Sequence, residues 1–158
     1  MNSSPLKLIF VLFCSMYISC SSNSDNLDTL TSTSNSDYEI EILKLINQHR
    51  KSKELLEFEI LEIIKSQTDE HTDYMIAQGK ISHDNFNQRA DYLKNKANAM
   101  TIAENVASGY SSAEAVVNGW LNSEGHRKNI EGNYSHFNLT AKKNKNGSWY
   151  YTNIFIRK

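Results

Sequence analysis

The segment that most constrains the fold is the last one. Phe137, Leu139 and Ala141 alternate with more polar neighbours, Asn146-Gly147 offers a tight-turn dipeptide, and Trp149 to Ile156 is aromatic and β-branched. Side chains alternate between the two faces of a strand, so this pattern predicts a β-hairpin. A lone hairpin is unstable in water and needs something to cover its apolar face. The preceding chain is written mostly in helical periods, so helices must supply the cover. The expected class is α+β, with helices packed on a small antiparallel sheet.

Those periods are explicit. Ile42, Leu45, Ile46 and His49 recur at i, i+3, i+4 and i+7, which marks a helix with one apolar face. From Leu55 to Gln78 the stripe is Leu61, Ile64, Thr68, His71 and Met75, and Gly79 suits a left-handed C-cap. A lone histidine on such a stripe, His71, reads as a core residue before it reads as a ligand. The connector Lys80-Ile81-Ser82-His83-Asp84 leads to a third helix carrying Phe86, Ala90, Leu93 and Ala97. Thr101 to Ala107 fits either a strand or an extended loop. Ser111-Ser112-Ala113-Glu114 has the form of a capping box, and Ala113, Val116, Val117, Trp120 and Leu121 follow on one face, with Trp120 as a core anchor. No internal repeat is present.

Ahead of this domain, Met1 to Ser19 carries one charge, Lys7, and the apolar run Leu8 to Phe13, too short to span a bilayer as a helix. Ser19-Cys20 then places a small residue before a cysteine, the form of a bacterial lipoprotein signal, with Cys20 acylated and the membrane as partner. Cleavage to a soluble secreted protein is the alternative. Residues 20–37, mostly Ser, Asn, Asp and Thr, bury too little apolar surface to order themselves and read as a flexible tether, and residues 38–158 form the folded domain. With Cys14 removed and Cys20 lipidated, no disulfide framework is left, so the fold rests on its core. Without Lys7 there remain 16 basic and 18 acidic residues, a near-balance that leaves no electrostatic footprint for nucleic acid.

Four residues carry candidate chemistry: His83, Glu104, Glu124 and His126. The last two lie in Ser123-Glu124-Gly125-His126-Arg127-Lys128-Asn129-Ile130, where Gly125 is expected to let the backbone turn sharply. No zinc-helix motif, CxxC pair, glycine-rich phosphate loop or nucleophile elbow occurs, and by spacing alone each residue also reads as a surface or capping group. His136 reads as a surface histidine at a strand start rather than a third imidazole.

Five pieces in order, Leu45-Ile46-Asn47-Gln48-His49-Arg50, Ser82-His83-Asp84, Ala103-Glu104-Asn105-Val106-Ala107, Trp120 to Ile130 and Trp149 to Phe155, resemble the CAP superfamily of cysteine-rich secretory, antigen-5 and pathogenesis-related proteins, in its bacterial SCP-like branch. The resemblance implies an α-β-α sandwich with a cleft lined by histidines and acidic residues, which in several branches bind a divalent metal, often zinc. It implies His83 and His126 as metal candidates, His83, Glu104 and His126 as catalytic candidates, and Asn105 and Glu124 as supporting residues. A departure is Asn138-Leu139-Thr140, where the family has a glycine-rich strand. Three readings stay open. One is an exported, surface-anchored module binding a metal and a small, lipid or envelope-derived ligand. Another is a hydrolase using the His/Glu cleft. The third is a structural envelope protein.

Overall fold

The computed structural model describes residues 35–158. The leader, Cys20 and most of the polar tract lie outside the described residues. Helix α1 (Asp37–Ser52) opens on a reciprocal capping box: the Ser36 hydroxyl accepts from the Glu39 N–H, and the Glu39 carboxylate accepts from the Ser36 N–H. Ile42, Leu43 and Ile46 form its buried face. Strand β1 (Glu59–Ile60), α2 (Glu62–Gln78), α3 (Phe86–Ala97), β2 (Thr101–Ser108), α4 (Ala113–Asn122), α5 (Glu124–Ile130), β3 (His136–Lys143) and β4 (Trp149–Arg157) follow.

The sheet runs β1-β3-β4-β2. The two antiparallel ladders, β3–β4 and β4–β2, are long, while β1 adds two residues in parallel beside β3. One face carries Phe137, Leu139, Tyr151 and Phe155 against Ile42, Ile46, Val116 and Trp120 of α1 and α4. The other carries Ile154 and Ile156 against Ile64 of α2 and Leu93 and Ala97 of α3. This is the expected α-β-α sandwich, with helices on both sides of a small sheet. Among the described residues no helix is long and apolar enough to cross a membrane.

Four local expectations shift. Residues 55–61 are not helical. The Arg50 Nε–H donates to the Leu56 carbonyl (2.7 Å), and Asn47 exchanges both of its amide groups with the Phe58 backbone (2.8 and 2.9 Å). These clamps hold the stretch extended, so α2 starts at Glu62 and ends, as expected, at Gly79 with φ 67°. The cap of α4 is Ser112, whose hydroxyl accepts from the Ala115 N–H (3.1 Å), so Ser111 is displaced by one and Glu114 does not complete a box. Gly125 lies inside α5, and the bend between α4 and α5 falls on Ser123, extended at φ −97°, ψ 118°. The hairpin loop is wider than a two-residue turn, because the last pair is Lys143 with Trp149 and only Gly147 takes positive φ, at 81°.

Candidate functional site

Glu104 is the centre of the site. In β2 the even-numbered side chains point toward α2 and α3, which puts a carboxylate under helices in a residue only 6% exposed. A buried charge must be paired. Arg89 of α3 supplies the pairing through two parallel bonds, Nε–H to Oε2 and Nη2–H to Oε1, both 2.8 Å. Arg89 lies on the buried stripe of α3, one turn after Phe86 and one before Leu93.

The connector between α2 and α3 is held from both helices. Arg89 Nη1–H donates to the Asp84 carbonyl (2.8 Å), and His71 Nε2–H donates to the Ser82 carbonyl (2.7 Å). His71 is thus a buried strut, 2% exposed, as its place on the apolar stripe suggested. Between those anchors His83 turns back, and its Nδ1–H donates to Glu104 Oε1 at 2.8 Å. Its side chain remains 55% exposed, and no described residue bonds its Nε2. The bond to Glu104 holds the His83 pKa above the ordinary imidazole value, against the opposing effect of burial. Burial pushes His71 the other way. Tyr74 donates its hydroxyl to Asp84 (3.0 Å) and holds that carboxyl below its usual range.

The opposite wall is α5. Asn105, fully buried, donates through Nδ2 to the His126 carbonyl (3.1 Å) and accepts from Asn129 Nδ2 (2.8 Å). It ties β2 to α5 and fixes where His126 lies. His126 is half-buried, and its pKa is lowered first by burial and then by the neighbouring His83. Glu124 does not join them. It is exposed and pairs with Lys128 one turn along α5 (2.7 Å). His136 begins β3, near Glu59 of β1 (3.6 Å). His83, Phe86, Ile102, Ala103, Glu104 and Asn129 line a cleft of about 280 Å³, between the start of α3 and α5.

The donors suit a divalent cation in a limited way. Both Glu104 oxygens are committed to Arg89 and His83. Among the described residues no group of three or more His, Cys, Asp or Glu side chains converges. The imidazoles that remain as donors are His83 Nε2 in the cleft and the His126 ring, which is not among the residues lining it. A carboxylate behind the first imidazole fixes its tautomer and raises its basicity, the arrangement found behind metal-bound histidines.

Arg89 and Asn129 were not among the residues expected in the site. The signal for Arg89 was present: an arginine at the spacing of an apolar stripe is buried, and a buried guanidinium needs acceptors around it. Asn129 lies within the Ser123 to Ile130 stretch, but nothing in its spacing points to β2.

The profile of the cysteine-rich secretory protein family (CAP) matches residues 43–155. YkwD of Bacillus subtilis is 30% identical over 118 residues, 72% of this chain and 46% of that protein. An extracellular SCP-domain protein from Bacillus anthracis superposes with a TM-score of 0.66 at 28% identity, covering 77% of this chain and 40% of that one. An outer surface protein from Borrelia burgdorferi superposes with a TM-score of 0.69 at 21% identity, a likeness of fold, covering 79% of this chain and 96% of that one. The chain thus spans less than half the length of the two Bacillus relatives.

Proposed function

The chain belongs to the cysteine-rich secretory protein (CAP) family, and from that premise we propose that it is an exported binding domain whose cleft captures its ligand on His83, with a divalent cation such as zinc held by His83 and His126. The observation that carries this reading is the Arg89–Glu104–His83 relay. Arg89 neutralises Glu104, Glu104 accepts a hydrogen bond from the His83 Nδ1–H, and the opposite ring nitrogen is left facing solvent. A bound cation would supply Lewis acidity and open coordination positions to a ligand. The chain's own residues supply orientation: Glu104 sets the His83 tautomer, and Asn105 sets the position of His126.

Export accords with the extracellular and outer-surface descriptions of the similar proteins, and anchoring through Cys20 extends the same proposal. The hydrolase reading has no comparable support in the geometry. Ser82 Oγ accepts from the Asp84 N–H (3.4 Å) and bonds no imidazole among the described residues, and Glu104 would have to give up Arg89 to act as a base.

The test is calorimetric titration of zinc into the purified protein and into a His83→Ala/His126→Ala variant. One-to-one binding that disappears in a variant with an unchanged melting curve is the expected result. Equal binding by both proteins, or none by either, would remove the cation from the cleft.

A further inference from the structure

β2 is an edge strand, and part of its outer edge is open. The Gly109 N–H donates to the Trp149 carbonyl (2.9 Å), which continues a ladder where 101, 103, 105 and 107 face 157, 155, 153 and 151. In an antiparallel pair, residues alternate between bonding the partner strand and pointing away. The N–H and C=O groups of Ile102, Glu104 and Val106 therefore point outward.

The far half of that edge is already covered. Trp120 Nε1–H donates to the Val106 carbonyl (3.3 Å), and Asn129 Nδ2–H donates to the Glu104 carbonyl (3.4 Å). No described residue bonds the Ile102 N–H, the Ile102 carbonyl or the Glu104 N–H. These three groups form a donor–acceptor–donor row about 7 Å long, at the usual rise of a strand. Ile102, Ala103 and Glu104 are also the cleft wall beside His83. Natural edges are commonly blocked by lysine, proline or a bulge. Here the edge presents an isoleucine, an alanine and a glutamate whose charge Arg89 already neutralises.

We propose that the outer edge of β2 at Ile102–Glu104 receives a short extended peptide segment, paired backbone to backbone next to His83. The row of backbone groups selects this occupant. An extended peptide presents carbonyl, N–H and carbonyl at the same repeat, which answers all three groups together. An acyl chain would displace water from them and return no hydrogen bond. The cleft volume of about 280 Å³ suits two or three residues, with Phe86 and Ile102 offering an apolar contact for one side chain and His83 Nε2 an acceptor for a flanking N–H. This inference rests on the cleft being a binding site, and it names the class of ligand.

The full chain, treated with EDTA, is titrated with N-acetyl-Ala-Val-Ala while its amide resonances are followed by NMR. The control peptide has its valine and third-residue amides N-methylated. The expected result is saturable movement of the Ile102 and Glu104 amides, weakened at least tenfold by N-methylation. Ile102→Pro deletes an outward N–H that the β2–β4 ladder does not use, and an edge strand accommodates proline at such a position. It should fold and lose a similar share of the affinity. Should that variant fail to fold, the N-methylated peptide alone decides. Equal affinity for both peptides, shifts confined to other surfaces, or saturation of the edge by a second copy of the chain would overturn the proposal. Zinc binding without peptide binding would sink only this inference, whereas the absence of both would also remove the cation-binding reading.

Discussion

Glu39 and Glu104 are buried to nearly the same degree, 4% and 6% exposed, and each is paired with a cation, yet they support different things. Around Glu39 the paired cation, Lys65, is itself 3% exposed. Lys65 Nζ donates to its carboxylate (2.7 Å), to the Leu139 carbonyl (2.9 Å) and to Thr140 Oγ1 (3.1 Å), while the Ala141 N–H donates to the same carboxylate (2.7 Å). This knot joins α1, α2 and β3. It falls at Asn138-Leu139-Thr140, where the family has glycines; all three residues are fully buried here, with Thr140 bonded to Thr68 and Asp69 of α2. Around Glu104 one partner, His83, keeps more than half of its side chain in solvent. A buried carboxylate is thus architecture in one place and a positioning group in the other. The exposure of the partner makes the difference.

Truncating the two cations tests that contrast with the largest expected effects. Lys65→Ala and Arg89→Ala each leave a buried carboxylate without its counter-charge, and each should lower unfolding free energy by about 3–5 kcal/mol in urea. The two should separate in their second effect. Arg89→Ala should change the His83 titration and zinc affinity, whereas Lys65→Ala should leave both alone. A Lys65 variant that alters the His83 titration would break the distinction.

Glu104→Gln should act more selectively. It removes the charge that holds His83, so the His83 pKa should fall toward about 6.5, the ordinary imidazole value, and zinc should bind about 10- to 100-fold more weakly. NMR titration of the metal-free protein and calorimetry read these two outcomes. The pH dependence of stability carries opposing signs among the three histidines. The contribution of His83, whose pKa is raised in the folded state, is complete below about pH 6.5 and is lost as pH rises through its folded value. His71 and His126, whose values are lowered, contribute above about pH 6.5 and lose that contribution as pH falls through theirs. Urea titrations between about pH 5 and 8 should therefore lose the His83 component in Glu104→Gln.

The smallest effect belongs to Glu124→Ala. The Glu124–Lys128 pair is an exposed pair one turn apart, so its loss should move stability by no more than about 0.5 kcal/mol and leave zinc binding unchanged. A measurable loss of zinc affinity would return Glu124 to the site.

The secondary structure was largely legible because its signals are local. The stripe Phe86, Ala90, Leu93 and Ala97 matches α3 residue for residue, Gly79 caps α2, and the alternation from Phe137 gives β3. The misread stretches were those whose conformation is imposed from outside: residues 55–61 by Arg50 and Asn47, and the bend at Ser123 by the packing of α4 and α5. Of the candidate residues, His83, Glu104, Asn105 and His126 stand in pieces that resemble a family, and hydrogen bonds join His83 to Glu104 and Asn105 to the His126 backbone. Arg89 was missed because its partner is 15 residues away.

The sequence by itself determined the helices α1, α3 and α4, the end of α2 and the terminal hairpin, and which side chains most of them turn inward, since a period of 3.6 or 2 is written in the order of residues. Only the tertiary structure decided that Arg89, Glu104 and His83, from a helix, a strand and a connector, would meet on one carboxylate. That meeting depends on which face of β2 lies under α3 and on the register of β2 against β4. Contacts across elements set both. The same contacts leave β2 at the edge of the sheet with its outer backbone groups beside His83.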